Sequence, residues 1–318
     1  MNKVPLFFEP IFKERIWGGN KLNINFNYNI PSEKTGEAWV ISAHPNGLSK
    51  VKNGILKGKT LADLWEQHGE LFNKPKDHDE EFPLLVKVLD ANDDLSVQVH
   101  PDDSYARNKE NQPFGKTECW YVLSAEDDAE IIYGHHAKTK DELKEKIANA
   151  DWNTLLRSVK VKPGDFIYVP SGTIHAIGKG IVILEIQQSS DITYRVYDYN
   201  RLDTEGNARE LHLESAIEVI NVPHKLISYE KEEKKQLGFT SKLLVVEEYF
   251  TVLLWSLDGS VKKTLNADFL QVSVISGEAE IIIEEEKYQI QTGDHFILPF
   301  TVKTYELKGT ATFIVSHI

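Results

Sequence analysis

The sequence predicts a mainly β protein of sandwich or barrel architecture, and two observations carry that expectation. Short segments rich in β-branched and aromatic residues, separated by turn residues, recur through both halves of the chain, while helical periodicity is confined to a few stretches. A ten-residue pattern also occurs twice. Val161–Pro170 (VKPGDFIYVP) and Ile290–Pro299 (IQTGDHFILP) each read as a Gly-Asp turn, an apolar strand and a proline stop.

In chain order, the expected strands of the first half are Phe82–Leu89, Leu95–His100, Trp120–Leu123, Glu130–Tyr133, Asp165–Val169 and Ile181–Gln187. The texture returns in Phe250–Leu257, Phe269–Ile275, Ala279–Ile283 and His295–Leu298. Helical segments are expected near 60–72, opened by a Thr60 cap, near 140–156 and near 210–220. The repeated Gly-Asp/Pro pattern is the texture of double-stranded β-helix barrels. The fold expected is therefore two cupin-type (jelly-roll) barrels with a few short helices, one over residues 1–224 and the other over 225–318. A chance match between common Gly-Asp turns is the competing explanation. Five residues after Pro170 stands His175, whereas five after Pro299 stands Thr304. Only the first copy carries a potential ligand, so the C-terminal barrel is expected to be degenerate and structural.

A length of 318 residues suits one large domain or two medium ones. The 41% hydrophobic and 27% charged content is that of an ordinary globular chain. A formal net charge of −13 repels nucleic acid and anionic membrane unless a local basic patch intervenes, and no Lys/Arg-rich arm is present. The mixed-sign run Tyr229–Lys235 reads as a solvated linker or helix face. The N-terminal stretch lacks a signal-peptide pattern, and no segment reaches the roughly 18 apolar residues of a membrane helix. A single cysteine, Cys119, excludes an intrachain disulfide, so the cytoplasm is the expected location. The expected assembly is a monomer or weak homodimer.

Side chains alternate along a strand, so Ser96, Gln98 and His100 share one face of Leu95–His100 and Leu95, Val97 and Val99 the other. Glu118 opens the next apolar strand, and His175 follows the Gly-Asp hairpin. Two histidines and a carboxylate suit a divalent metal such as zinc, and the carbonyl oxygen of Gln98 would be a weak neutral fourth ligand. A lone histidine on an apolar strand is more often a packed core residue, and the residues alone leave both readings open. His135-His136 ends a strand and reads as surface; Cys119 faces away from Glu118 and reads as core packing.

Two charges interrupt apolar runs: Lys87 in FPLLVKVL and Glu185 in IVILEI. Burying either is costly unless it is paired or functional. The functional reading puts both beside the metal. Lys87, Lys116, Arg195 and Arg201 then supply the cations that a phosphate-bearing ligand requires.

These residues resemble one family, the type I mannose-6-phosphate isomerases (phosphomannose isomerases), in their short bacterial form. The matching stretches are Arg15–Gly19 (RIWGG), Gly36–Val40 (GEAWV), Leu84–Asp90 (LLVKVLD), Leu95–Asp102 (LSVQVHPD), Lys116–Glu118 (KTE), Pro170–His175 (PSGTIH) and Glu185–Arg195. The resemblance implies a cupin fold, one Zn²⁺ per chain, and reversible conversion of mannose 6-phosphate to fructose 6-phosphate through an enediol(ate). It implies Gln98, His100, Glu118 and His175 as metal ligands, and Arg195, Lys116 and Glu185 as catalytic residues. Trp17, Lys87, Ser96, Asp191 and Arg201 would bind substrate. The chain departs from longer relatives in the short segment between Glu118 and His175, and in Arg201, where some relatives have lysine. Two rivals are weighed against this reading. An iron-dependent cupin oxygenase fits Gln98 and the cation set poorly, and a non-catalytic sugar-phosphate-binding cupin has no need of both Glu185 and Arg195.

Overall fold

The structure is a computed structural model that describes residues 3–75, 78–202, 206–227 and 232–318. Among these, the strands form sheets of nine, six and five strands. The six-stranded sheet runs Phe166–Val169, Glu118–Ala125, Ile181–Gln188, Leu84–Ala91, Thr35–Ile41, Ile11–Gly19, with every pair antiparallel. The five-stranded sheet runs Tyr194–Tyr197, Val97–Val99, His175–Ile177, Glu130–His135, Leu156–Lys160. Their inner faces share one core, in which Leu89, Trp120, Val122 and Ile183 of the first sheet pack with Ile131 and Ile177 of the second. This is the first barrel.

The outer face of the five-stranded sheet is covered by helices. Val97, Val99, Ala176 and Val196 pack on Leu143 and Ile147 of Lys140–Ala148 and on Ala216 of Leu213–Val219. Helix Leu61–Gln67 begins as the sequence suggests. Thr60 accepts from Asp63 N, and the Asp63 carboxylate accepts from Thr60 N in return, satisfying two amide groups at the helix start. The outer face of the six-stranded sheet packs against the second barrel, with Leu84, Val86, Leu184 and Ile186 joining Val252, Phe269, Ile297 and Ile314 in one core. Trp65, Phe72 and Phe82 surround Phe269 at ring-centroid distances of 6.2, 5.6 and 5.5 Å.

The second barrel repeats the strand order of the first. Its sheet runs His295–Pro299, Phe269–Ile283, Thr304–His317, Thr251–Thr264, Phe239–Val246, Glu233–Gln236. Leu6–Glu9 adds to its far edge, pairing with both His295–Pro299 and Lys50–Val51, so the N-terminal strand belongs to the C-terminal sheet. The repeated sequence pattern is a repeated structure. Gly164 and Gly293 adopt φ of 90° and 91°, the left-handed region open to glycine. Gly164 N donates to Val122 O and Gly293 N to Val274 O, both at 2.9 Å. Asp165 and Asp294 each accept, through the side chain, from the backbone N–H three residues earlier.

Several expectations change. Phe269–Ile275 and Ala279–Ile283 form one continuous strand, because a bulge between Val274 and Ser276 bends the chain without ending it. Ser276 and Gly277, between the two expected strands, pair with Thr312 and Ala311. In the run Tyr229–Lys235, residues 229–231 lie outside the described residues, while Glu233–Gln236 is an edge strand paired with Phe239–Val246 rather than a linker or helix face. Its exposed charges protect a sheet edge from further pairing. His135 is buried, not on the surface, with Nε2 bonded to Asn221 O, while His136 is exposed. Cys119 lies in the core, where burial pushes its thiol pKa up.

Candidate active site

One cavity of about 480 Å³ opens between the two sheets of the first barrel, and both walls follow from strand alternation. On the six-stranded side, Lys13, Arg15 and Trp17 project from Ile11–Gly19, Glu37 and Trp39 from Thr35–Ile41, Lys87 and Leu89 from Leu84–Ala91, and Glu185 from Ile181–Gln188. Cross-strand pairing aligns Trp39, Lys87, Glu185 and Trp120 in a single row. Lys87 Nζ stands 5.0 Å from the Trp39 ring centre and 3.3 Å from Glu185 Oε2. Trp120 Nε1 donates to Glu118 Oε1 at 2.9 Å and to Glu185 Oε1 at 3.2 Å. On the five-stranded side, His175, Gln98 and Arg195 are direct partners across three adjacent strands. Leu95 and Ser96 both line the cavity, because regular alternation begins only at Val97.

His100, Glu118 and His175 do not themselves line the cavity; they meet directly behind the lining residues Gln98, Lys116 and Glu185. Their ligand atoms lie within 4.8 Å of one another, and each residue is about 1% exposed, so solvent cannot compensate their polar groups. His100 Nε2 is 3.5 Å from Glu118 Oε2, and His175 Nε2 is 3.4 Å from Glu118 Oε1. Backbone carbonyls fix the tautomers. Each Nδ1 donates, His100 to Ile192 O at 2.8 Å and His175 to Thr173 O at 2.9 Å, which leaves both Nε2 atoms as lone-pair acceptors. His175 Nε2 is buried and has no hydrogen-bond partner among the described residues, a costly state for a polar atom unless a cation is bound. Burial, and then Lys116 beside it, holds the His100 pKa well below the ordinary imidazole value; burial also lowers that of His175. Burial works against the charge on Glu118, but Lys116 and the two imidazoles more than offset it and keep the group ionised. Two neutral imidazoles and a carboxylate converging on one point form a donor set able to hold a metal ion.

Lys116 Nζ sits 2.7 Å from Glu118 Oε2 and 2.9 Å from His100 Nε2. Burial opposes its charge, yet Glu118 and Glu185 raise its pKa on balance. Glu185 shifts upward, first through burial and then through the Glu118 charge. Arg195 Nε reaches Ser96 Oγ at 3.3 Å, and Nη1 donates to Glu210 O at 2.8 Å. Asp191 stands at the mouth, accepting from Asn46 Nδ2 at 2.6 Å.

Arg201, expected to bind substrate, is not among the residues lining the cavity. Its guanidinium is spent on Asp198 Oδ1 (2.6 Å) and Asp94 O (2.5 Å) and lies over the Tyr199 ring. Arg209 lines the cavity instead. Sequence reasoning also missed Lys13, Arg15, Glu37 and Trp39. The hairpin carrying them is closely interlocked: a Cβ on Gly36 would lie 2.6 Å from the Trp17 ring and 2.8 Å from Arg15 Cβ. Arg15 Nε and Trp39 Nε1 both donate to Glu37 at 2.6 Å.

The second barrel has no counterpart of this site. Equating Val122 with Val274 through their shared Gly-Asp contacts puts Leu270 at the position of Glu118, Val315 at that of Glu185 and Leu253 at that of Lys87. The three polar positions have become aliphatic and contribute to that barrel's core.

The fold and site define a two-barrel β protein of the cupin class with a buried His/Glu/His group in its first barrel. Residues 6–136 match the family model for the phosphomannose isomerase type I catalytic domain, and residues 240–318 match that for the mannose-6-phosphate isomerase cupin domain. The chain is 52% identical over 318 residues to a mannose-6-phosphate isomerase of Bacillus subtilis, covering all of both chains. It is also 52% identical over 313 residues to one of Streptococcus mutans, covering 98% of each. The crystal structure of a mannose 6-phosphate isomerase from Bacillus subtilis superposes with a TM-score of 0.95 at 50% identity, covering 99% of both chains. The chain belongs to the type I phosphomannose isomerase family.

Proposed function

We propose that this protein is a zinc-dependent aldose–ketose isomerase that interconverts mannose 6-phosphate and fructose 6-phosphate through an enediol(ate). The observation that carries the metal assignment is the buried Nε2 of His175, without a hydrogen-bond partner among the described residues and facing Glu118 behind the cavity-lining Gln98 and Lys116. Gln98, His100, Glu118 and His175 would hold the ion. When bound, zinc supplies Lewis-acid polarisation of the sugar oxygens.

The remaining tasks fall to the chain itself. Isomerisation moves a proton between C2 and C1 and places negative charge on an oxygen on the way. Arg195, on the strand next to Gln98, is positioned to stabilise that oxyanion. Lys116, held protonated by its carboxylate neighbours, can donate a proton to it. Glu185, buried and raised in pKa, suits the group that takes the carbon-bound proton and returns it. Trp17 and Trp39 wall the cavity, while Ser96 and Asp191 line it and offer oxygens to the sugar.

The test is direct. In D₂O, zinc-loaded protein should convert mannose 6-phosphate to fructose 6-phosphate and incorporate deuterium at carbon, followed by NMR. Absence of conversion in protein of verified zinc content refutes the reading.

A further inference from the structure

The cavity's cations differ in how fully they are neutralised. Lys87 faces Glu185 at 3.3 Å, Lys116 faces Glu118 at 2.7 Å and Arg15 faces Glu37 at 2.6 Å. At the opposite wall the balance breaks. Arg201 and Arg209 converge on the Asp198 carboxylate, with Asp93 Oδ2 3.7 Å from Arg201, and among the described residues the Arg195 guanidinium bonds only to neutral acceptors. Burial lowers the Arg195 pKa first, and the neighbouring Arg209 and Arg201 add to this against Asp198 and Glu210. Arg195 thus has no direct carboxylate partner among the described residues, in a chain that is otherwise strongly acidic.

The two arginines around Asp198 are not equivalent. All three nitrogens of the Arg201 guanidinium are engaged, Nε with Asp198 O, Nη1 with Asp94 O and Nη2 with Asp198 Oδ1, and the residue lies outside the cavity lining. Arg209 uses only one edge: Nε donates to Asp198 Oδ2 at 2.7 Å and Nη2 to Asp198 Oδ1 at 2.5 Å. Its Nη1 has no partner among the described residues. The backbone beside it is pinned, since His212 N donates to Arg195 O at 2.8 Å and Arg195 N to His212 Nδ1 at 3.1 Å. Arg209 is thus an oriented fork with one edge held and the other turned free.

We propose that Arg209 grips the phosphate of the sugar phosphate and so determines specificity for the phosphorylated substrate, with Asp198 fixing the angle of the fork and Arg195 left to the reacting end of the sugar. A phosphate monoester carries about −1.5 to −2 charge at neutral pH and accepts paired guanidinium bonds. The assignment rests on the isomerase reading above, and it gives Arg201 the separate task of bracing Asp198.

The experiment uses the full zinc-loaded chain. Inorganic phosphate is the binding probe, followed by ³¹P NMR titration, alongside KM and kcat for mannose 6-phosphate. Arg209→Gln should weaken phosphate binding and raise KM by about 10- to 100-fold, the range for a lost charged hydrogen-bond pair, with kcat moved far less. Arg201→Gln should change phosphate affinity by less than about threefold on the same scale. Arg209→Lys, which keeps charge but loses the fork, should fall between wild type and Arg209→Gln, and it provides the comparison if Arg209→Gln does not fold. Unchanged phosphate affinity in the Arg209 variants, or a greater loss in Arg201→Gln, overturns the proposal. Wild-type protein that binds phosphate through Arg209 but does not isomerise would refute the functional reading while upholding the clamp.

Discussion

Gln98, His100, Glu118 and His175 show what residue-level reasoning can reach. Alternation along Leu95–His100 picks out Gln98 as facing the opposite way from Val97 and Val99, and the structure has Gln98 lining the cavity while both valines pack outward against helices. That His100, Glu118 and His175 converge, from positions as far apart as residues 100 and 175, depends on sheet pairing that no local pattern encodes. The missed residues divide in the same way. Lys13 and Arg15 stand at alternate positions in phase with the expected Trp17, so a period-two reading of Ile11–Gly19 would have found them. The choice between Arg201 and Arg209 had no such signal. Both lie outside regular strands, where neither period applies, and Asp198 decides which one is left free. At this scale the account predicts that Arg195→Ala lowers kcat by about 10²- to 10³-fold, the usual loss for one oxyanion donor. Steady-state kinetics together with a thermal melt check it: the melting temperature should move little, and an unchanged kcat removes Arg195 from the mechanism.

Among the elements, the Gly-Asp/Pro repeat was the most legible, because its turn chemistry is local. A left-handed glycine and an aspartate accepting from the backbone three residues back are written in the sequence itself. The long strands were less legible. Phe269–Ile283 runs on through Ser276 and Gly277, which pair with Thr312 and Ala311 just past a bulge at Ile275, and those small residues look like a turn until the partner strand is known. Thr304–His317 pairs along its whole length with Thr251–Thr264, so long-range pairing stabilises residues whose own sequence, with its Gly309, carries a weak strand signal. The same comparison explains the missing second site. Thr304 marked it in the sequence, but the exchange of Glu118, Glu185 and Lys87 for Leu270, Val315 and Leu253 emerges only once the strands are in register. We propose residues 1–224 as a catalytic cupin domain and 225–318 as a degenerate one, with Leu6–Glu9 lending its strand to the second.

At the scale of the molecule, the two barrels are joined through one core and through a buried hydrogen-bond chain that sequence does not reveal. Tyr28, from the first half, places its hydroxyl 2.7 Å from His295 Nε2, and His295 Nδ1 lies 2.8 Å from Ser273 Oγ. Burial, with Lys52 adding to it, pulls the His295 pKa down to about 3, so the folded state holds a neutral ring. An unfolded chain protonates that ring near 6.5, and the folded chain only near the lower value. The unfolded state therefore binds more protons between those limits, and stability falls as pH drops below about 6.5. By pH 5 the loss attributable to this residue should be about 2 kcal/mol. Urea melts of the wild type and His295→Gln between pH 5 and 7 isolate the effect; parallel stability curves would contradict it. Globally the chain carries a charge of −13, yet the cavity concentrates cations around a site able to take an anionic sugar and a divalent metal. The account turns most directly on that metal. Elemental analysis combined with an isomerase assay, before and after chelation, should find one zinc per chain, loss of activity on its removal and recovery on Zn²⁺ addition, with His175→Ala retaining neither metal nor activity. Full turnover by protein shown to be metal-free would contradict it.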